Sequence, residues 1–223
     1  MPTLGLLHTV RRVVMPLSDL ATELLPGVRQ LHYLDESVLQ DAIAAGGLTP
    51  DIHRRVTQLV LLAAERCDVV LVTCSSIGPS AELAARITHT PVLRIDRPMA
   101  EEAVSLGTNI AVIATLGTTL GPTADIIERA ATDAGRMVTV RRHLCEGAFA
   151  AGSSGNQAEH DRLVLEGLQT LLTGPDAAEV IVLAQASMAS IAAQLGEVTT
   201  PILSSPRSGL IRAGEVLRAL GAS

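Results

Sequence analysis

Short apolar runs alternate with stretches of helical spacing along the whole chain. Runs at 3–10, 28–34, 69–73, 91–95, 109–114, 137–144, 179–184 and 201–203 predict strands. The run at 28–34 alternates, whereas 69–72 is solidly apolar and β-branched, as in a strand covered on both faces. Between them, spacing near 3.6 predicts helices over 15–25, 35–45, 50–65, 81–87, 99–106, 123–134, 160–172, 188–195 and 210–220. Thr49 and Pro50 read as the N-cap and first residue of one helix, and Gly46-Gly47 as the end of another. The stretch 115–122 reads as a turn, and Gly152-Ser153-Ser154-Gly155-Asn156 as the most loop-like segment. Strands alternating with helices imply parallel sheets covered by helices on both faces.

The stretch Val69-Val70-Leu71-Val72-Thr73-Cys74-Ser75-Ser76-Ile77-Gly78-Pro79 organises this pattern. A buried strand runs into a cysteine and two hydroxyls, and Gly78-Pro79 opens a helix. Cys74 is therefore expected in a strand-to-helix turn, where open α/β sheets bind ligands. Free amides and the helix dipole at such a turn favour anions, and the expectation is a lowered thiol pKa.

The chain also resembles itself. Leu71-Val72-Thr73-Cys74 matches Val182-Leu183-Ala184-Gln185, and Leu6-Leu7-His8-Thr9 matches Val112-Ile113-Ala114-Thr115. Pro91 follows Cys74 by 17 positions and Pro201 follows Gln185 by 16. The inferred architecture is α/β, with two pseudo-symmetric halves and a cleft between them. The first half is expected to span 1–107 with 205–223, and the second 108–204.

Composition narrows the ligand. Of 223 residues, 48% are hydrophobic, but there is one Tyr, one Phe and no Trp, so no aromatic platform for nucleic acid bases exists. Net charge is −6, from 17 basic and 23 acidic residues, without a long basic cluster; nucleic acid binding is not expected. No apolar run approaches the roughly 18 residues of a membrane span, and Asp19 and Glu23 interrupt any secretory signal. Three unpaired cysteines fit a reducing cytoplasm. No His/Cys/Asp spacing makes a metal site, and no glycine-rich fingerprint or Walker lysine marks a nucleotide. No cofactor is expected.

What remains suits a small carboxylate. Ser75, Ser76, Thr115, Thr118, Thr119 and Ser187 fall in strand-to-helix turns, where hydroxyls and amides hold carboxylate or carbonyl oxygens. A thiolate at Cys74 could remove a proton α to the held carbonyl. His8, at the end of the first strand, and Asp96, after the fourth, are further candidates; each has a structural alternative. Cys67 and Cys145 read as packing residues.

At these residues the sequence resembles the Asp/Glu/hydantoin racemase family. The markers are Gly5-Leu6-Leu7-His8-Thr9, Val72-Thr73-Cys74-Ser75-Ser76, Leu93-Arg94-Ile95-Asp96, Ala114-Thr115-Leu116-Gly117-Thr118-Thr119 and Leu183-Ala184-Gln185-Ala186-Ser187-Met188. The resemblance implies two flavodoxin-like halves, cofactor-independent chemistry, and a substrate held between two cysteines that take and return a Cα proton. Cys74 matches the first cysteine, Ser75-Ser76 the oxyanion-binding positions, and Thr115 and Thr118 the carboxylate-binding ones. Ala186 and Ser187 complete the second turn.

The second family cysteine falls at Gln185. A neutral amide donates and accepts hydrogen bonds but is no general base. Three routes stay open: another group or water serves the second face; a single cysteine protonates an enolate, as in decarboxylase relatives; or Cys74 adds covalently, as in cis-trans isomerase relatives. The first expectation is a racemase-type isomerase acting on an acidic amino acid, hydantoin or similar compound. The rivals are a lyase or isomerase of small dicarboxylates and a non-catalytic binder. A homodimer is expected.

Overall fold

The computed structural model describes residues 1–173 and 176–221. Two four-stranded, all-parallel sheets carry the fold. In the first, β1 (Thr3–His8), β2 (Arg29–Leu34), β3 (Val69–Val72) and β4 (Val92–Arg94) are ordered β2-β1-β3-β4. In the second, β5 (Asn109–Ala114), β6 (Thr139–Leu144), β7 (Val180–Leu183) and β8 (Ile202–Ser204) are ordered β6-β5-β7-β8. The registers repeat: Leu7 pairs with Val72 as Ile113 pairs with Leu183. β3 and β7 are buried at every position, whereas the edge strands β2 and β6 have no buried residue. The solid apolar run at 69–72 thus lies inside its sheet and the run at 28–34 at an edge.

The chain divides into two compact units, Met1–Pro98 with the chain from Pro206 onward, and Met99–Ser205. In the first, Leu7, Val70 and Val72 face α2 (Glu36–Ala44), α3 (Pro50–Ala64) and α4 (Gly78–Ala85). Leu4, Leu6, Val69 and Leu71 face α1 (Val14–Leu24) and the last helix, which runs Ser205–Gly221. In the second unit, Ile110, Val112, Val180 and Val182 face α5 (Arg97–Leu106) and α6 (Gly117–Asp133). Ala111, Ile113, Ile181 and Leu183 face α7 (Ala148–Ser153), α8 (Gln157–Leu172) and α9 (Ala189–Ala192). The last helix, Ser205–Gly221, is α10.

The helix after the last strand of each unit is thus exchanged. α5 follows β4 but buries Met99, Ala100, Ala103 and Val104 in the second core. α10 follows β8 but buries Leu210, Ala213 and Leu217 in the first. For this reason the division falls at Pro98 and not at the expected 107.

Caps follow side-chain chemistry. The Thr49 hydroxyl accepts from the Ile52 amide, with Pro50 at the first helical position, and Asp35 and Asn156 cap α2 and α8. Gly46 ends α2 with φ 70°, a conformation that costs a side chain-bearing residue.

Two expectations shift. α6 begins at Gly117, six residues before the predicted 123, with Pro122 inside it. Its buried face already starts at Thr119 and continues through Thr123, Ile126, Ile127 and Ala130, so packing outweighs the lost backbone donor. Of the loop-like stretch at 152–156, Gly152 and Ser153 end α7 and only 154–156 join it to α8, where Gly155 takes φ 85°.

The first unit buries one ion cluster. Arg94 Nε and Nη2 donate to the two Asp96 carboxylate oxygens at 2.9 and 2.7 Å, and Nη1 reaches Glu82 at 3.1 Å. Asp96 is 1% exposed. A Cβ on Gly78 would collide with the Arg94 guanidinium carbon, so glycine there lets Arg94 lie against the start of α4. Among the described residues no helix is long and apolar enough to cross a membrane.

Removing one partner of a buried, hydrogen-bonded ion pair strands the other charge. Arg94→Met is expected to lower unfolding free energy by about 3–5 kcal/mol. The double variant Arg94→Met/Asp96→Leu is expected to recover much of that loss. Urea denaturation of the two variants checks the ordering.

Candidate functional site

Each unit carries one turn of matching construction at the carboxyl end of its third strand. After β3, Cys74 has extended backbone (φ −118°, ψ 115°) and precedes a 3₁₀ turn at Ser75–Ile77. After β7, Gln185 has φ −128° and ψ 130° and precedes a 3₁₀ turn at Ala186–Met188. The strands feeding them are tied alike: the Thr73 amide donates to Leu7, and the Ala184 amide to Ile113, each at 3.0 Å. The sequence repeat therefore corresponds to a repeat in backbone geometry.

In the first unit, Cys74 is half-buried and Ser75 and Ser76 are buried. Thr9, Ser76 and Ile77 lie around the sulfur, and their hydroxyls and amides favour the thiolate. Burial outweighs them and pushes the thiol above its ordinary value. This reverses the lowering expected from the sequence, because desolvation of a thiolate costs more than the donors return. Thr9 is 3% exposed, and its hydroxyl makes no hydrogen bond of good geometry to any protein atom. A buried hydroxyl left so costs about 1–3 kcal/mol, and such groups collect at functional sites. Thr9 is not among the residues singled out from the sequence; its match to Thr115 in the repeat is the signal that points to it.

His8 is wholly buried and its ring is fully engaged. The Thr73 hydroxyl donates to the Leu7 carbonyl at 3.0 Å, so it accepts from His8 Nδ1, 2.9 Å away. That assignment leaves His8 Nε2 to accept from His32 Nδ1 at 3.0 Å, with the rings stacked 5.2 Å apart. Burial, then the neighbouring His32, lowers the His8 pKa to about 4. Asp96 has both oxygens on Arg94. Both residues brace the Cys74 turn from within; neither offers a free group to a ligand.

In the second unit, the Thr115 amide and hydroxyl both donate to Gln185 Oε1, at 2.7 and 3.0 Å. Thr115 and Thr119 are buried, whereas Thr118, Ala186 and Ser187 are half-buried. Thr118 and Thr119 lie in the first turn of α6, not in a loop. Cys67 and Cys145 are buried packing residues, their sulfurs close to Gly5 and Gly167; burial raises both, Cys145 to about 11. No group of three or more His, Cys, Asp or Glu among the described residues could hold a metal ion.

The sequence profile of the Asp/Glu/Hydantoin racemases matches residues 17–210. The chain belongs to the Asp/Glu/hydantoin racemase family. No curated protein matches it significantly. Solved structures show the racemase fold. A glutamate racemase isoform from Bacillus anthracis is 16% identical with a TM-score of 0.74, covering 99% of this chain and 83% of its own. An allantoin racemase from Pseudomonas fluorescens is 20% identical with a TM-score of 0.61, covering 99% and 92%. A cysteine-substituted arylmalonate decarboxylase in a sulfate-associated form is 16% identical with a TM-score of 0.57, covering 97% and 94%.

The buried histidine of this racemase-family chain makes a prediction about acid. His8 titrates near 4 in the fold and near 6.5 when unfolded, so the unfolded chain binds the extra proton between those values. Stability is therefore full above about pH 6.5 and falls as pH drops toward 4, by at most about 3 kcal/mol from this residue. Urea midpoints at pH 7.5 and 5.0 are expected to differ less in His8→Gln than in the parent.

Proposed function

We propose that this protein is a cofactor-independent enzyme that transfers a proton at the carbon α to a carboxylate or carbonyl of a small substrate. The Cys74 sulfur is its acid/base. The observation that carries this reading is the place of Cys74 at the end of β3, followed by the buried Ser75 and Ser76, with the buried Thr9 hydroxyl, which has no protein hydrogen bond, nearby. Cys67 and Cys145, by contrast, lie buried against Gly5 and Gly167.

In this reading the thiolate takes the Cα proton, and the electron pair passes into the adjacent carbonyl as an enolate. Amides and hydroxyls at Ser75 and Ser76 stabilise the oxyanion. Thr115, Thr118, Thr119, Ala186 and Ser187 belong to the substrate-binding turns. The family and the named activities of the glutamate and allantoin racemases suggest acidic amino acids, hydantoins and ureido acids as substrates.

A second reading follows from the raised thiol pKa. A cysteine protonated at neutral pH is ready to donate first. Loss of carbon dioxide from a malonate would leave the electron pair on Cα, and the Cys74 S–H would deliver its proton there. The arylmalonate decarboxylase neighbour fits that alternative.

Nuclear magnetic resonance in heavy water separates the two. With aspartate, glutamate, hydantoins and malonates supplied in turn, α-deuterium incorporation without carbon loss supports the first reading, and carbon dioxide release the second. Cys74→Ser is expected to slow either reaction by about 10²–10⁴-fold. Abstraction requires thiolate, so its rate should climb from pH 7 toward and beyond 9; donation should hold level and then fall. Turnover that survives Cys74→Ser sinks both.

A further inference from the structure

The matched turns differ in one side chain, and the structure fixes what that side chain can do. Gln185 Oε1 accepts from the Thr115 amide at 2.7 Å and from the Thr115 hydroxyl at 3.0 Å. A backbone amide only donates, so the atom facing Thr115 must be the carbonyl oxygen and not the nitrogen. The carboxamide therefore cannot be read the other way round, an ambiguity that usually attends glutamine. Both lone pairs of Oε1 are used. The Nε2 group, with two N–H donors, has no protein partner among the described residues, and the side chain is half-buried.

In the first unit the corresponding threonine, Thr9, favours the ionised form of Cys74. In the second, Thr115 acts differently, because it holds an acceptor so that a donor faces away. An amide held in this way neither takes nor gives a proton at neutral pH, and it offers no acceptor to an ammonium group.

We infer that Gln185 is a locked hydrogen-bond donor that binds a planar oxygen of the ligand, a carboxylate or a carbonyl, and moves no proton. The inference deepens the proton-transfer reading, resting on it only for the small-acid ligand class.

The test reads binding first, so that its outcome does not hang on Cys74. In ¹⁵N-labelled protein, the two side-chain Nε2 protons of Gln185 are assigned by their loss in Gln185→Leu. Malonate, succinate, L-aspartate and hydantoin are then titrated in turn at pH 7.5. At least one is expected to shift both protons saturably. Gln185→Glu keeps an acceptor for Thr115 but presents no donor, so the affinity for that probe should fall at least tenfold while the thermal midpoint and the Thr115 amide resonance stay near the parent's. Probe affinity in Gln185→Glu equal to the parent's, or Gln185 protons unmoved by all four probes, overturns the inference. Shifted Gln185 protons with turnover intact in Cys74→Ser would instead refute the role of the thiol and leave the donor standing.

Discussion

Parallel pairing of the two central strands in each sheet is the constraint on which the rest depends. Because β1 and β3 run side by side in the same direction, their carboxyl ends arrive together. The residue that continues β1, Thr9, therefore meets the one that continues β3, Cys74. The same pairing of β5 with β7 delivers Thr115 to Gln185, and there the contact is two well-formed hydrogen bonds. Residues 65 and 70 positions apart in sequence become neighbours through strand register alone. Thr115 would not meet Gln185 if β5 and β7 ran antiparallel.

The interior behind the first turn is organised to exclude charge it cannot use. His8 is held neutral by burial and by two ring partners, and Asp96 is neutralised by a bidentate arginine. Each satisfies a polar group that would otherwise be expensive beneath the turn. The thiol at Cys74 sits at the edge of this environment, with burial drawing it toward the neutral form and neighbouring hydroxyls and amides drawing it toward the ionised one. Both roles proposed for it, proton acceptor and proton donor, draw on that opposition.

The exchange of terminal helices gives each unit a core it does not complete from contiguous sequence. α5 and α10 fill equivalent positions over opposite sheets, and the chain must pass between units twice to place them. The apolar positions of α5 fit either core by periodicity, so no local pattern announces which one it joins.

Most of the architecture is legible along the chain. Eight strands are readable because a sheet covered on both faces demands solid apolar runs, and caps such as Thr49-Pro50 are local chemistry. The two-half plan is legible because the repeat preserves spacing. Cys74 is legible because a strand-to-helix turn is defined by its own residues. The sign of its pKa shift is not, since desolvation is a sum over atoms brought from distant segments. Equally hidden are the engagement of His8 by Thr73 and His32, the capture of Asp96 by Arg94, and the direction in which Gln185 presents its amide. A sequence names which groups can donate or accept; which of them face one another is settled only when strands far apart in the chain lie side by side.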